Sequence, residues 1–319
     1  MTPPSTLSSG QMSETKAAEA DDVMLCCASC GATEADDIKL KTCTGCKSAR
    51  YCSIKCQKEH RSQHKRACKK KVAEFRDEIL FRQTERTDCP ICLLPMPLDP
   101  DKLAMISCCA RHICAGCEFA NALREIEEGL KPTCPFCRLP APHDDDETWD
   151  ENIKRRAEAD DPAALGWMGM SCQEKGDYNG AFEFWTRAAE LGDSQSHYQL
   201  SVMYHGGHGV EMDEKKEIHH LEEAAIGGDI VARNDLGVLE QRNGRFERAE
   251  KHFTIAANLG CKDSMIMLKH LQLRGFVSYD DLNTVIHTHQ AALDAMKSPQ
   301  REAGEANLRR AARERGYGS

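Results

Sequence analysis

From about Trp149 onwards the chain shows no run of strand-like alternation, and within 161–296 its apolar positions fall at helical spacing. The segment also repeats itself. Ala188-Ala189-Glu190-Leu191-Gly192-Asp193 returns as Ala224-Ala225-Ile226-Gly227-Gly228-Asp229 and as Ala256-Ala257-Asn258-Leu259-Gly260-Cys261, at steps of 36 and 32 residues. Periods of that size belong to paired-helix repeats. In each unit a first helix carries Leu165 and Trp167, Leu200 and Tyr204, or Leu236 and Leu239. A turn follows at Lys175-Gly176-Asp177, Gly206-Gly207-His208-Gly209 or Asn243-Gly244-Arg245. A second helix then carries Phe182 and Trp185, Ile218 and Leu221, or Phe246 and Phe253. Alanines near its end let helices approach closely, and the glycine after them suits a left-handed cap. A fourth unit is degenerate. Ser278-Tyr279-Asp280-Asp281 reads as a capped helix start, with a closing helix through Met296. Pro299 is expected to break it, leaving Arg301 to Arg315 as a polar, loose helix.

Two shorter helical patterns precede the repeats. Val72, Phe75, Ile79 and Leu80 suit an amphipathic connecting helix within 69–87, and Phe119 to Leu130 mixes apolar and charged residues at helical spacing. Between and around them, cysteine replaces hydrophobic pattern as the dominant signal. Of eighteen cysteines, all but Cys172 and Cys261 lie between Cys26 and Cys137; those two sit in helical patterns and read as core residues. The first cluster runs Cys27-x2-Cys30, Cys43-x2-Cys46, Cys52-x3-Cys56, His64-x3-Cys68. A Cys-x2-Cys pair can close a knuckle that presents both sulfurs to one ion. The i,i+4 pairs share a face of a helical turn. Structural zinc takes four such ligands in a closed tetrahedron, so eight ligands imply two zincs. Spacing alone does not choose sequential from interleaved pairing. Disulfides suit oxidising compartments, which nothing here indicates, and a redox pair would be single and set beside a βαβ pattern.

The run Tyr51-Cys52-Ser53-Ile54-Lys55-Cys56-Gln57-Lys58, followed by His64-Lys65-x2-Cys68, resembles the MYND zinc finger. The resemblance implies interleaved sites: Cys27, Cys30, Cys52 and Cys56 on one zinc, and Cys43, Cys46, His64 and Cys68 on the other. Cys26 is left free, and His60, one turn before His64, reads as a surface residue. Arg61 stands where the family usually has a Trp that lines a groove for proline-containing peptides; the zinc fold does not need that Trp, but the groove does.

The second cluster opens with Cys89-Pro90-Ile91-Cys92, continues through Cys108-Cys109-x2-His112-x-Cys114-x2-Cys117 and closes at Cys134-Pro135-Phe136-Cys137-Arg138. It resembles a RING domain. That implies one site from Cys89, Cys92, Cys114 and Cys117, and a second from Cys134 and Cys137 with two more donors. Arg111 occupies the usual histidine position and cannot ligate zinc. Cys109 is in the best register, and the fourth donor is Cys108 or His112, with Cys108 preferred. A RING holds no nucleophile; it docks a ubiquitin-conjugating enzyme and orients the charged thioester. The residues at the matching contact positions are Ile91, Pro135 and Arg138. They also fit a purely structural role in the zinc fold.

The repeats resemble the Sel-like branch of the tetratricopeptide superfamily, on the phrases above and on His208-Gly209-Val210 with Asp213 and Lys216 in the longer turn. That resemblance implies a partner-holding or scaffolding role, since such a solenoid buries its repeat interfaces and leaves a concave face. His219 and His220 are adjacent, point about 100° apart on a helix, and read as ordinary.

The expected architecture is therefore small zinc-stabilised domains followed by an all-α helical-repeat solenoid. Its segments are a disordered tail over 1–25, a MYND-type finger over 26–68, a connecting helix over 69–87 and a RING-like finger over 88–139. A linker over 140–160, repeats over 161–296 and a polar tail over 297–319 complete it. Four zincs are expected, two per finger.

Charge and length narrow the function. With 319 residues the chain has room for two or three domains. A net charge of −9 argues against general nucleic-acid binding, although Lys39 to Lys71 is basic and Asp144-Asp145-Asp146-Glu147 acidic. No apolar run reaches transmembrane length, and Met1 to Asp22 lacks a signal-like apolar core. An intracellular, reducing setting, cytoplasmic or nuclear, is expected. No nucleophile–base pair and no phosphate loop is visible, and the helical pattern after Arg138 leaves no room for a SET methyltransferase domain. Two functions compete. One is a RING-type ubiquitin ligase or ligase adaptor whose repeats hold a protein partner. The other is a non-enzymatic scaffold.

Overall fold

The computed structural model describes residues 26–34, 38–141 and 147–314. The tail expected over 1–25, the acids at 144–146 and the last five residues lie outside them. The chain divides into two compact units, Met1–Glu78 and Ile79–Ser319.

In the first unit, two short strands, β1 (Lys41–Thr42) and β2 (Arg50–Tyr51), pair antiparallel. Helix α1 follows over Ile54–Leu80. Its length corrects the expectation of a separate connecting helix over 69–87. The helix that carries Cys56, His64 and Cys68 continues without a break and stops at Leu80. The physical reason is in the sequence: no glycine or proline interrupts 54–80, and Lys55–Glu59 and Lys70–Glu74 pair at i,i+4. The buried core of this unit is Cys27, Cys43, Cys46, Ala49 and Tyr51, most of it ligand cysteines.

The second unit begins with a zinc-type module. A 3-10 turn (Pro100–Lys102) leads into β3 (Leu103–Ile106), which pairs antiparallel with β4 (Arg111–Cys114), and α2 (Ala115–Glu127) follows at once. Among the described residues, ten helices complete the unit: α3 (Glu147–Glu158), α4 (Pro162–Glu174), α5 (Tyr178–Glu190), α6 (Ser194–Gly206), α7 (Glu214–Ile226), α8 (Ile230–Arg242), α9 (Phe246–Asn258), α10 (Lys262–Leu273), α11 (Tyr279–Ala295) and α12 (Pro299–Glu314). Helices α4 and α5, α6 and α7, and α8 and α9 pack as hairpins, and successive hairpins stack through α5 on α6 and α7 on α8.

The repeat is punctuated at both ends of each helix. Asp161, Asp177, Asp193, Asp213 and Asp229 each cap the helix that follows by accepting from its first-turn amides, as in Asp193 with Ser196 N at 2.7 Å. In the last pair Arg245 and Cys261 take these positions and make no side-chain cap bond. Cys261 is thus a half-buried helix-start residue rather than the helical core residue expected. At the other ends, Gly192 and Gly228 take φ of 91° and 94°, and Asp193 N and Asp229 N bond back to Ala188 O and Ala224 O.

Two further expectations are corrected. The linker drawn over 140–160 contains α3, because Trp149, Ile153 and Ala157 recur every four residues and pack on α4, with Trp149 edge-on to Trp167 at 6.1 Å. The tail drawn over 297–319 contains α12, which begins at Pro299 and packs on α2. Proline starts a helix well because the first amides need no intrahelical acceptor.

One charged residue ties elements together inside the second unit. Arg233 is 1% exposed, and its guanidinium donates to Leu80 O at 2.7 Å and Ala225 O at 2.5 Å. Both carbonyls lie at helix ends, which carry partial negative charge and lack intrahelical donors. Nearby His252 is fully buried, its ring tilted against Phe81 at 4.7 Å, and neither ring nitrogen has a hydrogen-bond partner among the described residues. Burial, with Arg233 and Arg248 adding repulsion, pushes its pKa down to about 3.

The sign of the pH effect follows. Above about 6.5 both folded and unfolded chains hold a neutral imidazole. Below it the unfolded chain takes a proton that the folded chain refuses until about 3, so stability is lost as pH falls through that window. Between pH 7 and 5 the expected loss from this group is about 2 kcal/mol. Urea unfolding of the parent and of His252→Leu at both pH values checks it; the variant should lose correspondingly less.

Candidate metal centres

Among the described residues, four groups of ligand atoms come together, each with all four atoms within 4.8 Å of one another. The first unit holds Cys27, Cys30, Cys52 and Cys56, and Cys43, Cys46, His64 and Cys68. The second holds Cys89, Cys92, Cys114 and Cys117, and Cys108, Cys109, Cys134 and Cys137. The arrangement is interleaved in both modules. His112 is not part of a cluster; it lies on β4 opposite Met105.

Four of the Cys-x2-Cys pairs close in the same way. The amide of the residue after the second cysteine donates to the carbonyl of the first: Gly31 to Cys27, Lys47 to Cys43, Leu93 to Cys89 and Arg138 to Cys134, at 2.9 to 3.1 Å. That residue takes a left-handed φ of 75°, 57°, 55° and 63° respectively. Glycine does so freely; the other three accept strain on the order of 1 kcal/mol. A second bond then shuts each loop, as in Cys89 N to Leu94 O at 2.9 Å and Cys134 N to Leu139 O at 2.7 Å. The remaining ligands ride on helices or beside them. Cys52 lies just before α1, with Cys56, His64 and Cys68 on it, while Cys114 caps α2 and Cys117 sits in its first turn. Cys108 and Cys109 occupy the turn between β3 and β4, where Cys109 N bonds Ile106 O and Ala110 takes φ of 49°. That bend lets adjacent cysteines face one centre.

The spacings fit zinc. A tetrahedron with metal–sulfur bonds of about 2.3 Å has sulfur–sulfur edges of about 3.8 Å. Observed edges are 3.6 Å for Cys30–Cys52 and Cys52–Cys56, 3.8 Å for Cys43–Cys68, Cys89–Cys117 and Cys92–Cys114, 3.5 Å for Cys108–Cys137 and 3.7 Å for Cys109–Cys134. Cys46 Sγ lies 3.3 Å from His64 Nε2. A disulfide would need about 2.05 Å, and all eighteen cysteines are free.

Electrostatics favours the same reading. Burial opposes ionisation of Cys27, Cys89 and Cys137, yet backbone amides aimed at their sulfurs hold them at about 6, 7 and 7. Cys52 is pushed up to about 12 by sharing protons with Cys30 and Cys56, and burial with neighbouring thiols pushes Cys68 and Cys109 up to about 11 and Cys108 and Cys117 higher still. A few thiolates crowd against thiols that cannot also ionise; a divalent cation at the centre removes that conflict and deprotonates the whole set. His64 is biased toward its neutral, ligating form by burial and by His60. The four centres are zinc sites.

One histidine expectation changes. His60 is half-buried rather than on the surface, and Tyr51 Oη lies 3.1 Å from its Nδ1 while its ring stacks on His64 at 5.6 Å. His220 is not paired with His219 but faces His197, with Nδ1 atoms 3.0 Å apart, and stacks on Tyr204. Sequence spacing could not show the contact between α6 and α7 that brings His197 there. Arg61 is exposed on α1. At the positions implied to contact a conjugating enzyme, Ile91 is 39% exposed, Pro135 half-buried and Arg138 exposed.

Residues 27–68 match the MYND finger family. No curated protein matches the chain. Two solved structures similar to it are a protective antigen of uropathogenic Escherichia coli with an SLR fold and a Sel1 repeat protein from Oxalobacter formigenes. The first shows 20% identity and a TM-score of 0.39, over 46% of this chain and 33% of that one. The second shows 27% identity and a TM-score of 0.39, over 49% of this chain and 64% of that one. The chain thus spans a third of the first and under two thirds of the second. Among the described residues, no helix is long and apolar enough to cross a membrane. Four clusters of zinc-type ligands and a stack of helical hairpins thus lie in one chain.

Proposed function

We propose that the chain is a RING-type ubiquitin-ligase adaptor, with the sixteen clustered residues as ligands to four zincs. The second zinc module docks a ubiquitin-conjugating enzyme, and the helical repeats hold the protein partner to be modified. The observation that supports this is the apolar exposure around the first knuckle of that module. Ile91 and Leu93 are 39% and 72% exposed although Phe136 of the last knuckle packs into the same small core as Cys92. A knuckle that needed apolar residues only for its own fold would bury them. Pro135 lies beside Phe136 in that last knuckle, and Arg138 follows it with its side chain in solvent, able to brace ubiquitin. The chemistry is positioning alone: the conjugating enzyme brings the thioester, and this chain orients it.

Zinc-loaded protein mixed with activating enzyme, ubiquitin and a panel of conjugating enzymes tests the reading. Chains should form with at least one conjugating enzyme, and Ile91→Ala should cut transfer roughly 30-fold, as expected for losing a central apolar contact worth about 2 kcal/mol. Transfer unchanged by Ile91→Ala would move the docking surface elsewhere. No transfer with any conjugating enzyme, from protein carrying all four zincs, would favour a non-enzymatic scaffold. The fused packing of this module on α3 and α12 is the observation on that side.

A further inference from the structure

Arg301, on the first turn of α12, is 4% exposed. A buried guanidinium needs an anion or a full set of acceptors. Its bonds go to Pro95 O at 2.7 Å, Met296 O at 2.9 Å, Leu94 O at 3.1 Å and Cys92 Sγ at 3.3 Å. No carboxylate is among these partners. Arg86, itself half-buried, lies near enough to repel it. The group facing Arg301 in place of a carboxylate is the cysteine cluster, through Cys92 Sγ.

A zinc with four thiolates carries two net negative charges, in a site where Cys89, Cys114 and Cys117 are buried. Donors aimed at the sulfurs and a cation beside them relieve that charge. Helix α12 supplies both. Gln300, beside Arg301, donates to Cys117 Sγ at 3.3 Å and to Gly116 O at 3.2 Å. The helix is held there by backbone contact: a Cβ on Gly116 would lie 2.7 Å from Arg301 Cα, and one on Gly304 2.7 Å from Gly116 Cα. Lys102 and Glu305 pair at 2.8 Å further along.

We propose that Arg301 is a positioning residue for the zinc held by Cys89, Cys92, Cys114 and Cys117, so that α12 completes that site's outer shell from a point 209 residues beyond Cys92 in the sequence. The proposal rests on the zinc sites and not on ubiquitin transfer. Its consequence is that metal retention at one of four sites depends on the C-terminal helix.

The test is zinc release from the full-length protein to a chromogenic chelator, with cobalt substitution as a second readout. Arg301→Met keeps most of the buried stem but removes charge and donors; Arg301→Lys keeps the charge and loses the fork. Arg310→Met, on the exposed side of the same helix, is the control. Expected is a roughly 10- to 100-fold faster release of one zinc in Arg301→Met, with three unchanged and helical content intact. A smaller acceleration is expected in Arg301→Lys and none in the control. The sulfur-to-cobalt charge-transfer band should shift in Arg301→Met, as a purely structural role would not require. Unchanged release and an unchanged band overturn the proposal. Should Arg301→Met lose its helical signal, the Lys variant decides: folded protein with parent-like release and spectrum also overturns it.

Discussion

Removing zinc with an excess of a strong chelator is expected to act unequally on the two zinc modules. Both should lose their folds, since each structural zinc contributes on the order of 10 kcal/mol. In the first unit the buried core consists largely of the ligands themselves, Cys27, Cys43 and Cys46 with Ala49 and Tyr51, so little apolar packing remains when the metal leaves. The second module differs. Met105 and Ala110, from the β3–β4 hairpin and its turn, belong to one cluster with Ile153, Ala157 and Leu165 of α3 and α4, and Gly116 lies against Gly304 of α12. Collapse of that module therefore takes packing away from α3 and α12. Hydrogen exchange read peptide by peptide should show loss of protection over 26–53 and 88–141, then over α3 and α12. The hairpins from α5 to α9 should keep theirs, because Trp185, Leu200 and Phe253 are buried in clusters that contain no residue of either zinc module. Unfolding of α5 to α9 together with the zinc modules would contradict this, and so would unchanged exchange in α3 and α12.

The same division explains what could be read from the sequence. Metal ligands are legible because their chemistry fixes both residue type and spacing: Cys-x2-Cys closes a knuckle, and Cys52 with Cys56, like His64 with Cys68, takes i,i+4 spacing. Repeats are legible because each unit restates the same alanines and glycine. The fold elements that went unread, or were read as loose where they are packed, were polar ones. Helix α12 buries an arginine and two glycine-scale contacts rather than a hydrophobic stripe, so Gln300, Arg301 and Gly304 carry no periodic apolar signal. Helix α3 shows only Trp149, Ile153 and Ala157, too short a stripe to stand out beside prolines and acids. The length of α1 was hidden for the opposite reason. Its exposed, charged middle has no stripe at all, and the absence of glycine and proline was the only available sign. In the site, left-handed Lys47, Leu93 and Arg138 could not be named from residue type, since nothing in those side chains favours that conformation; the knuckle's hydrogen bonds impose it.

The largest single-residue effect in the solenoid is expected at Gly169. This glycine of α4 faces Trp185 of α5, and a Cβ on it would lie 2.4 Å from Trp185 Nε1 and 2.5 Å from Cδ1. Trp185 is 1% exposed and donates from Nε1 to Gly166 O at 3.1 Å, so the indole is held at both its face and its edge. It cannot retreat without breaking that bond and its packing on Leu200 and Met203. Gly237 of α8 stands in the same relation to Phe253 of α9, with a Cβ 2.5 Å from the ring. In the middle repeat the corresponding residues are Ser201 and Leu221, both buried. The repeat thus matches a glycine with an aromatic ring and a slightly larger residue with a leucine. Alanine normally favours a helix over glycine by nearly 1 kcal/mol. Here overpacking reverses the sign, and Gly169→Ala should destabilise by about 2 to 3 kcal/mol. Adding Trp185→Leu, which copies the middle repeat's pairing, should recover part of that loss although Trp185→Leu alone is itself destabilising. Such non-additivity marks two residues in direct contact. Urea denaturation of the four proteins, parent, two single variants and double variant, measures it. Additive single effects, or a Gly169→Ala protein more stable than the parent, would show that the indole has room to move and that the pairing of small with large does not hold the repeat in register.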